Sequence, residues 1–240
     1  MNMIAIISGG SGLVGTQLMH QFFQQKAYDY VIAVGRRKLT LKHAKLVQVV
    51  VDFDNLEEVN LEERLRDKDI GGLNHSLINL LQKGDYTMHA YCALGTTIKA
   101  AGSKEMFSKI DHDYVVEFAN WTRRLGASKF LYVSAIGANA KSSIFYNKVK
   151  GWVEDDLKKV PFEYLGIFQP SILMGNRKES RLAEDVGKVV MRLVTAVGIY
   201  RKYRPIYDYQ VAKAMVHFAM ENREEPIETI SSIEMHRLKL

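Results

Sequence analysis

The sequence predicts an α/β fold in which helices cover both faces of a doubly wound parallel sheet. Three observations indicate it. Short apolar segments alternate with segments of helical periodicity, a glycine-rich turn follows the first apolar segment, and 240 residues suit one domain of this class. Covered parallel strands should be apolar at most positions, as Ile4 to Ile7 and Leu46 to Val51 largely are. We therefore expect residues 1–240 to form a single domain.

Strands and helices are expected in the following order. The strands are Met3 to Ser8, Tyr30 to Gly35, Leu46 to Val51, Tyr86 to Leu94, Phe130 to Ser134 and Glu163 to Phe168. The helices are Gly12 to Gln25, Ser103 to Leu125, one from about Ser142 or Ser143 to before Pro161, one within Leu182 to Val197, and Tyr209 to Met220. The tail beyond them carries no clear pattern.

Local signals justify the helices. Leu18 and Phe22 fall on one apolar stripe of the first helix. Gly126 ends the second helix, because glycine readily adopts the left-handed backbone of a helix end. A serine hydroxyl at Ser142 or Ser143 caps the third helix, and Pro161 cannot continue it.

The composition is that of a globular protein, with 47% hydrophobic and 25% charged residues. The single cysteine, Cys92, excludes an internal disulfide and favours a reducing compartment. Residues Met1 to Ile7 lack the basic region of a signal peptide, and no apolar stretch reaches membrane-spanning length. We therefore expect a cytoplasmic protein without a membrane association.

The basic charge of the chain does not by itself indicate a partner. The formal net charge is +6, but lysines and arginines are scattered rather than gathered in a run with aromatic residues. A solvated basic surface is therefore favoured over nucleic-acid binding, which stays the weakest alternative. The seven histidines form no His-x-x-x-His pair and the lone cysteine no Cys-x-x-Cys pair, so no metal site is expected.

The glycine-rich turn lies between the first strand and the first helix, and it fits the pattern Gly-x-Gly-x-x-Gly. Glycine is needed there because the chain turns tightly, a pyrophosphate approaches the backbone, and the helix packs closely on its strand. Backbone amides and the positive end of the helix dipole then face the phosphates. The sequence therefore predicts a Rossmann-type dinucleotide site formed by Gly9, Gly10, Ser11, Gly12, Leu13, Val14 and Gly15.

Arg36 and Arg37 follow the second strand, where NAD-specific proteins carry an acidic residue for the ribose 2′-hydroxyl. Guanidinium groups pair instead with a 2′-phosphate, so NADP(H) is the expected cofactor. The alternative is that both arginines are exposed loop charges. Asp52, after the third strand, either accepts from the adenine amino group or caps the following turn.

Tyr146 and Lys150 are four residues apart on the third helix and therefore share one face. A nearby ammonium lowers the pKa of a tyrosine towards a useful range for proton transfer. Ser134, at the carboxyl end of a strand, would orient a carbonyl and stabilise its developing charge. Ser134, Tyr146 and Lys150 are thus candidate catalytic residues. Ordinary helix-surface positions for the last two remain the alternative, and Tyr209 with Lys213 repeats their spacing.

Together these features resemble the short-chain dehydrogenase/reductase superfamily, and its atypical branch that includes the Tat-interacting tumour-suppressor oxidoreductase. The similarity spans nearly the whole chain and is most specific at Gly35 to Thr40, Cys92 to Thr97, Ala101 to Ser103, Ile110 to Tyr114 and Asn176 to Arg181.

The resemblance implies that NADPH is bound by Arg36, Arg37, Asp52, Phe53, Leu94, Gly95, Thr96, Lys150 and Pro170 as well as the glycine-rich turn, and it supports the Ser134, Tyr146 and Lys150 trio. The chain departs from the family pattern at three places. Gln169 stands where arginine is usual, Ala135 replaces a frequent serine, and residues 60–79 form a longer segment with room for an extra helix.

Two functions fit these expectations. One is an NADPH-dependent reductase or dehydrogenase acting on a small carbonyl, an alcohol or a sugar nucleotide, with the substrate bound mainly by residues 170–207. The other is an NADPH-binding regulator that acts through a protein partner and leaves the trio idle. Both a monomer and a dimer are compatible with the sequence.

Overall fold

A computed structural model describes residues 1–24, 26–66, 72–175 and 203–238. Within them, seven parallel strands form one sheet in the order β3-β2-β1-β4-β5-β6-β9. These strands are β1 (Asn2–Ser8), β2 (Tyr30–Gly35), β3 (Leu46–Val50), β4 (Tyr86–Cys92), β5 (Ala127–Val133), β6 (Tyr164–Gln169) and β9 (Ile227–Ser231). Two short strands, β7 (Leu173–Met174) and β8 (Ile206–Tyr207), pair separately.

Helices connect the strands. They are α1 (Leu13–Gln24), α2 (Leu61–Arg66), α3 (Leu73–Lys83), α4 (Ile98–Ala101), α5 (Lys104–Ser108), α6 (Tyr114–Arg124), α7 (Phe145–Leu157), α8 (Asp208–Met220) and α9 (Ser232–Arg237). A 3-10 helix covers Phe53–Glu58, and a π-helical turn, Lys109–Asp113, joins α5 to α6. No helix in the described ranges is long and apolar enough to cross a membrane.

Two apolar cores lie on opposite faces of the sheet. Alternate residues of β1 enter each core, with Ile4 and Ile6 on one side and Ala5 and Ile7 on the other. The first core is closed by α2, α3, α6 and α7, and the second by α1, α8 and α9. The predicted α/β fold with a doubly wound parallel sheet is therefore confirmed.

The six expected strands are all present, with ends that differ by at most a few residues. The unassigned tail supplies β9, which pairs with β6 at the sheet edge, and α9, which begins with a Ser231 and Glu234 capping box. The extra segment at residues 60–79 contains α2 and the first part of α3. The expected helix within Leu182 to Val197 lies outside the described residues.

The start of α7 differs from the expectation. The helix begins at Phe145 with Ile144 as its N-cap, and neither Ser142 nor Ser143 caps it. The Ser142 hydroxyl instead accepts the Ile144 N–H at 3.1 Å, which closes a turn just before the helix. The Ser142 hydroxyl therefore accepts from the N-cap residue itself, whereas the side chain of an N-cap residue accepts from the second or third residue of the helix.

The sheet reverses its strand order beside β1. Chain connections run outward from β1 through β2 to β3, whereas β4, β5, β6 and β9 lie on its other side. In open sheets of this kind a ligand crevice forms outside the carboxyl ends of the strands at the reversal. The turn after β1 and the loop after β4 meet at this crevice.

Candidate functional site

The glycine-rich turn is built into the crevice by its own packing. Gly9 adopts φ +83°, and a Cβ there would overlap the backbone of Ala93, just after β4. A Cβ on Gly15 would overlap the Gly9 carbonyl, because α1 packs directly on the turn. Both glycines are therefore required by the fold itself.

Gly12 is placed differently. A Cβ there would lie 3.3 Å from the Gly9 carbonyl oxygen and 3.8 Å from that of Ala93, which is tight but not an overlap. α1 begins at the next residue, Leu13, so the first N–H groups of the helix have no partner within it. This open backbone at a helix start fits the pyrophosphate of a dinucleotide.

Arg36, Arg37 and Asp52 lie on the crevice side of β2 and β3, and all three are exposed. The Asp52 carboxylate accepts the Asp54 N–H at 3.1 Å and caps the 3-10 helix. Of the two roles left open for Asp52, the structure shows the cap. Phe53 is buried and packs against Tyr114, so its side chain belongs to the core.

The loop after β4 carries Leu94, Gly95 and Thr96 across the crevice. The Thr96 N–H donates to Asp111 Oδ2 at 2.7 Å. A Cβ on Gly95 would lie 3.5 Å from Asp111 Oδ1 and 3.9 Å from Lys150 Nζ. The expected cofactor loop therefore rests directly on two charged side chains.

Lys150 and Asp111 form a buried ion pair. Lys150 Nζ lies 3.1 Å from Asp111 Oδ1, and both side chains are almost fully enclosed. Lys150 also donates to the Tyr132 hydroxyl at 3.1 Å. The π-helical turn carries Asp111, and such turns often occur at functional sites.

The charge of this pair is set by burial and by the partners. Burial lowers the pKa of Lys150, but the acidic groups of Tyr132 and Asp111 outweigh it, so that pKa is raised well above its usual value. Burial raises the pKa of Asp111, although Lys150 and the Thr96 N–H lower it. Lys150 therefore keeps its proton and remains a cation.

Tyr146 lies one turn before Lys150 on α7, with 37% of its surface exposed and its ring against Phe107. Burial raises the pKa of Tyr146; Lys150 lowers it, and Asp111 raises it. Burial is the largest of these effects and outweighs the Lys150 charge, so the pKa of Tyr146 is raised above its ordinary value. The lowered pKa expected from spacing alone is therefore not found, because spacing does not show the burial of the phenol.

Ser134 faces a different partner. It is buried at the end of β5, and its hydroxyl donates to the Glu154 carboxylate on α7. Gln169, at the end of β6, donates its amide to both Glu154 oxygens, at 2.9 and 3.1 Å. The structure thus joins Lys150 to Asp111 and Ser134 to Glu154. Pro170 is buried beside them, and its carbonyl accepts the Ile136 N–H.

Sequence reasoning missed Asp111, Tyr132 and Glu154 as neighbours of the candidate trio. Glu154 could have been found, since it lies four residues after Lys150 and continues the face of Tyr146. Asp111 reaches Lys150 only through the π-helical turn, and a spacing pattern within one helix does not reveal such a contact.

No group of three or more potential metal-ligating residues occurs among those that the structure describes.

Several proteins are similar to this chain along most of its length. Protein FMP52-1, mitochondrial, of Scheffersomyces stipitis is 31% identical over 95% of this chain and 93% of its own. Protein HTATIP2 of Rattus norvegicus is 32% identical over 76% of this chain and 68% of its own. Protein FMP52, mitochondrial, of Saccharomyces cerevisiae is 27% identical over 96% of this chain and 94% of its own.

These names correct the expected location. The similar yeast proteins are named as mitochondrial, so the prediction of a cytoplasmic protein is wrong. Its argument was the single cysteine, which excludes an internal disulfide but does not distinguish one reducing compartment from another.

Solved structures share the fold. WbmH of Bordetella bronchiseptica, in complex with NAD+, has a TM-score of 0.63 at 12% identity over 97% of this chain and 76% of its own. UDP-glucuronic acid 4-epimerase of Bacillus cereus, with UDP-glucuronic acid and NAD, has a TM-score of 0.62 at 12% identity over 95% of this chain and 77% of its own. At such identities the likeness concerns the fold alone.

Sequence and fold lead to the same assignment. The family model described as NAD dependent epimerase/dehydratase family matches residues 5–232. The resemblance to the atypical short-chain dehydrogenase/reductase branch is confirmed by this match and by the similarity to HTATIP2 and the FMP52 proteins. The chain belongs to the NAD dependent epimerase/dehydratase family and is a nucleotide-binding, oxidoreductase-type member of the short-chain dehydrogenase/reductase superfamily.

Proposed function

We propose that the protein is an NADP(H)-dependent oxidoreductase that interconverts a carbonyl and an alcohol. One observation carries the proposal. A buried, protonated Lys150 lies under the loop after β4 and one helical turn from the partly exposed Tyr146. A fixed ammonium beside a solvent-accessible phenol, at the edge of a dinucleotide crevice, suits proton transfer to or from a substrate oxygen.

The preference for NADP(H) rests on Arg36 and Arg37. Both side chains are exposed just after β2, where a 2′-phosphate would lie on a bound dinucleotide. Guanidinium groups bind phosphate oxygens in charge-assisted pairs. When bound, the nicotinamide supplies or takes up the hydride.

The chain's own residues would handle the proton. The Tyr146 hydroxyl would protonate the substrate oxygen during reduction, or remove its proton during oxidation. Lys150 would stabilise the phenolate left behind, while Asp111 holds the lysine in place. The Ser134 hydroxyl would donate to the same oxygen once it is released from Glu154.

The substrate class is a small carbonyl compound or a sugar nucleotide. Sugar nucleotides are favoured by the neighbours of similar fold, whose structures contain UDP-glucose or UDP-glucuronic acid. Of the expected substrate segment, residues 176–202 lie outside the described part of the chain; the described parts, residues 170–175 and 203–207, would contribute to the substrate site, and β7 and β8 bring them beside the glycine-rich turn. A Cβ on Gly175 would lie 2.9 Å from the Leu13 side chain.

The first test is a fluorescence titration of NADPH and NADH. Wild type should bind NADPH at least about tenfold tighter, and Arg36→Ala should lose that preference, about 1.4 kcal/mol. Lys42→Ala, an exposed cation further along the same loop, is the matched control and should keep it. Equal binding of the two cofactors by wild type would contradict the NADP(H) assignment.

The second test separates catalysis from binding. Tyr146→Phe should bind NADPH as wild type does but lose reduction of a carbonyl panel that includes UDP-4-keto sugars. Full activity in this variant would contradict the trio.

A regulatory NADPH-binding protein is the second candidate. It is favoured by one observation, that the Ser134 hydroxyl donates to Glu154 instead of pointing freely into the crevice. Tight NADPH binding with no turnover of the panel, in wild type and Tyr146→Phe alike, would favour this candidate.

A further inference from the structure

Glu154 is a buried carboxylate whose hydrogen-bond donors are neutral. Only 6% of the residue is exposed. The Ser134 hydroxyl donates to Oε1, and the Gln169 amide donates to both oxygens. Neither donor brings a positive charge, so an ionised Glu154 would carry its charge in a poorly solvated place.

Such a carboxylate can exist in two forms with different hydrogen bonds. Ionised Glu154 can only accept hydrogen bonds, so the single hydroxyl hydrogen of Ser134 is donated to its carboxylate. Protonated Glu154 has a hydrogen of its own, which it can donate to the Ser134 oxygen. The Ser134 hydrogen is then free to turn towards the crevice.

We propose that Glu154 is a positioning residue that controls Ser134 by gaining and losing a proton. With Glu154 protonated, Ser134 donates to a ligand oxygen in the crevice. With Glu154 ionised, Ser134 donates to Glu154 and is withdrawn from the ligand. The proton is exchanged with water, and no covalent bond other than O–H changes.

The charged groups near Glu154 lie in solvent, and the groups in contact with its carboxylate are neutral, so no fixed charge holds Glu154 in its ionised form. Lys158, which follows the last residue of α7, lowers the pKa of Glu154, while Asp155 on α7 raises it. Lys158 is itself 3.5 Å from Asp155, and both side chains are well exposed to solvent. From β5 and β6 the facing groups are Ser134 and Gln169, which are neutral.

The direction of the pKa agrees with the geometry. Burial raises the pKa of Glu154 above its ordinary value, although the hydrogen bonds from Ser134 and Gln169 lower it. Protonated Glu154 is therefore present at higher pH than for an exposed glutamate.

The first experiment measures the proton on Glu154 directly in the full-length chain. The side-chain carboxyl carbons of glutamate are labelled with 13C, and the Glu154 signal is identified by its loss in Glu154→Gln. Its titration midpoint should lie above the ordinary value of about 4.3. Gln169→Arg should lower the midpoint by about 1 to 3 units, because an arginine charge favours the ionised form.

Ser134→Ala tests the same prediction if Gln169→Arg does not fold, and Asn222→Arg is the control for the added charge. Ser134→Ala should raise the midpoint, since it removes a donor to the carboxylate. Asn222→Arg adds the same charge at an exposed position and should leave the midpoint unchanged. A wild-type midpoint at or below about 4.3, or one that does not move in Ser134→Ala, would overturn the proposal.

The second experiment concerns Ser134 and rests on the proposed function. With NADPH and a carbonyl substrate, the rate should fall as pH rises through the Glu154 midpoint, and Glu154→Gln should abolish that fall. A fall that persists in Glu154→Gln would overturn the control of Ser134. Failure of the proposed function gives a different result. In that case the 13C titration of Glu154 still shows the raised midpoint, but Tyr146→Phe leaves turnover unchanged.

Discussion

Asp111, which contacts helix α7 through Lys150, and Glu154, which lies on α7, are two buried carboxylates with 0% and 6% of their surfaces exposed. Asp111 lies against the Lys150 ammonium and accepts a backbone N–H. Glu154 accepts from a hydroxyl and an amide. Their burial is similar, but only one of them has a charged partner in contact.

This difference separates two uses of a buried acid. A cation in contact stabilises the ionised form of a carboxylate against the effect of burial, so Asp111 suits a support for Lys150. A carboxylate held by neutral donors is costly to ionise and can keep its proton instead. On α7 itself, Lys150, which contacts Asp111, and Glu154 are four residues apart, so the two kinds of carboxylate act about one helical turn from each other along this helix.

The largest effect should come from breaking the ion pair of Asp111 and Lys150. Lys150→Met leaves the Asp111 carboxylate buried without its cation, and we expect the free energy of unfolding to fall by about 3–5 kcal/mol in urea denaturation. Lys148→Met on the same helix removes a lysine that lies over the Trp152 ring and should cost only about 0.5–1 kcal/mol.

Restoring the balance tests the cause. The double variant Lys150→Met with Asp111→Leu removes both charges and should recover most of the lost stability. A loss below about 1 kcal/mol in Lys150→Met would mean that Asp111 is not held ionised, and the contrast with Glu154 would disappear.

A smaller effect should follow removal of the Glu154 carboxylate. Glu154→Leu leaves the Ser134 hydroxyl and the Gln169 amide without their acceptor, which should cost about 1–3 kcal/mol by the same denaturation measurement. Glu224→Leu, at an exposed position, serves as control and should change stability by less than about 0.5 kcal/mol. A loss as large as that of Lys150→Met would show that Glu154 is paired as strongly as Asp111.

The smallest effect is a dependence of stability on pH. The pKa of Glu154 is raised in the folded chain, so the folded state binds more protons than the unfolded state between the two pKa values. The stability due to Glu154 is present below the unfolded value, about 4.3, and is lost as pH rises through the folded value.

Glu154→Gln lacks this titration and isolates it from that of Asp111, which both proteins share. As pH rises, wild type should lose stability relative to the variant by about 1.4 kcal/mol for each unit by which the pKa is raised. Urea denaturation from about pH 4 to about pH 7 spans the ordinary glutamate value and the range above it, and it measures the difference. Parallel curves for the two proteins would contradict a raised pKa.

Much of the fold can be predicted from the sequence, because its signals are local. Strands are short apolar runs, and the glycine-rich turn is contiguous, so the sequence alone places Gly9 to Gly15 at the end of β1. β9 was missed because only two of its five residues, Ile227 and Ile230, are apolar, so this edge strand does not form an apolar run.

The candidate site was predictable only in part, because its partners come from different elements. Spacing identified Tyr146 and Lys150, which share one helix. It did not find the carboxylate of Asp111, which arrives from the π-helical turn, or the hydrogen bond that turns Ser134 towards Glu154. The direction of the Tyr146 pKa was not predictable from spacing either, since a spacing pattern does not show the burial that raises this pKa more than Lys150 lowers it.

The packing of the glycine-rich turn has a consequence for the evolution of this fold. Gly9 and Gly15 are fixed by contacts inside the protein, so a descendant that no longer bound a dinucleotide would still have to keep them. A Cβ on Gly12 would make a tight contact but no overlap, so packing restricts this position less and alanine or serine could replace the glycine. Across such a lineage, the glycine at position 12 would be the one whose retention records continued use of the cofactor.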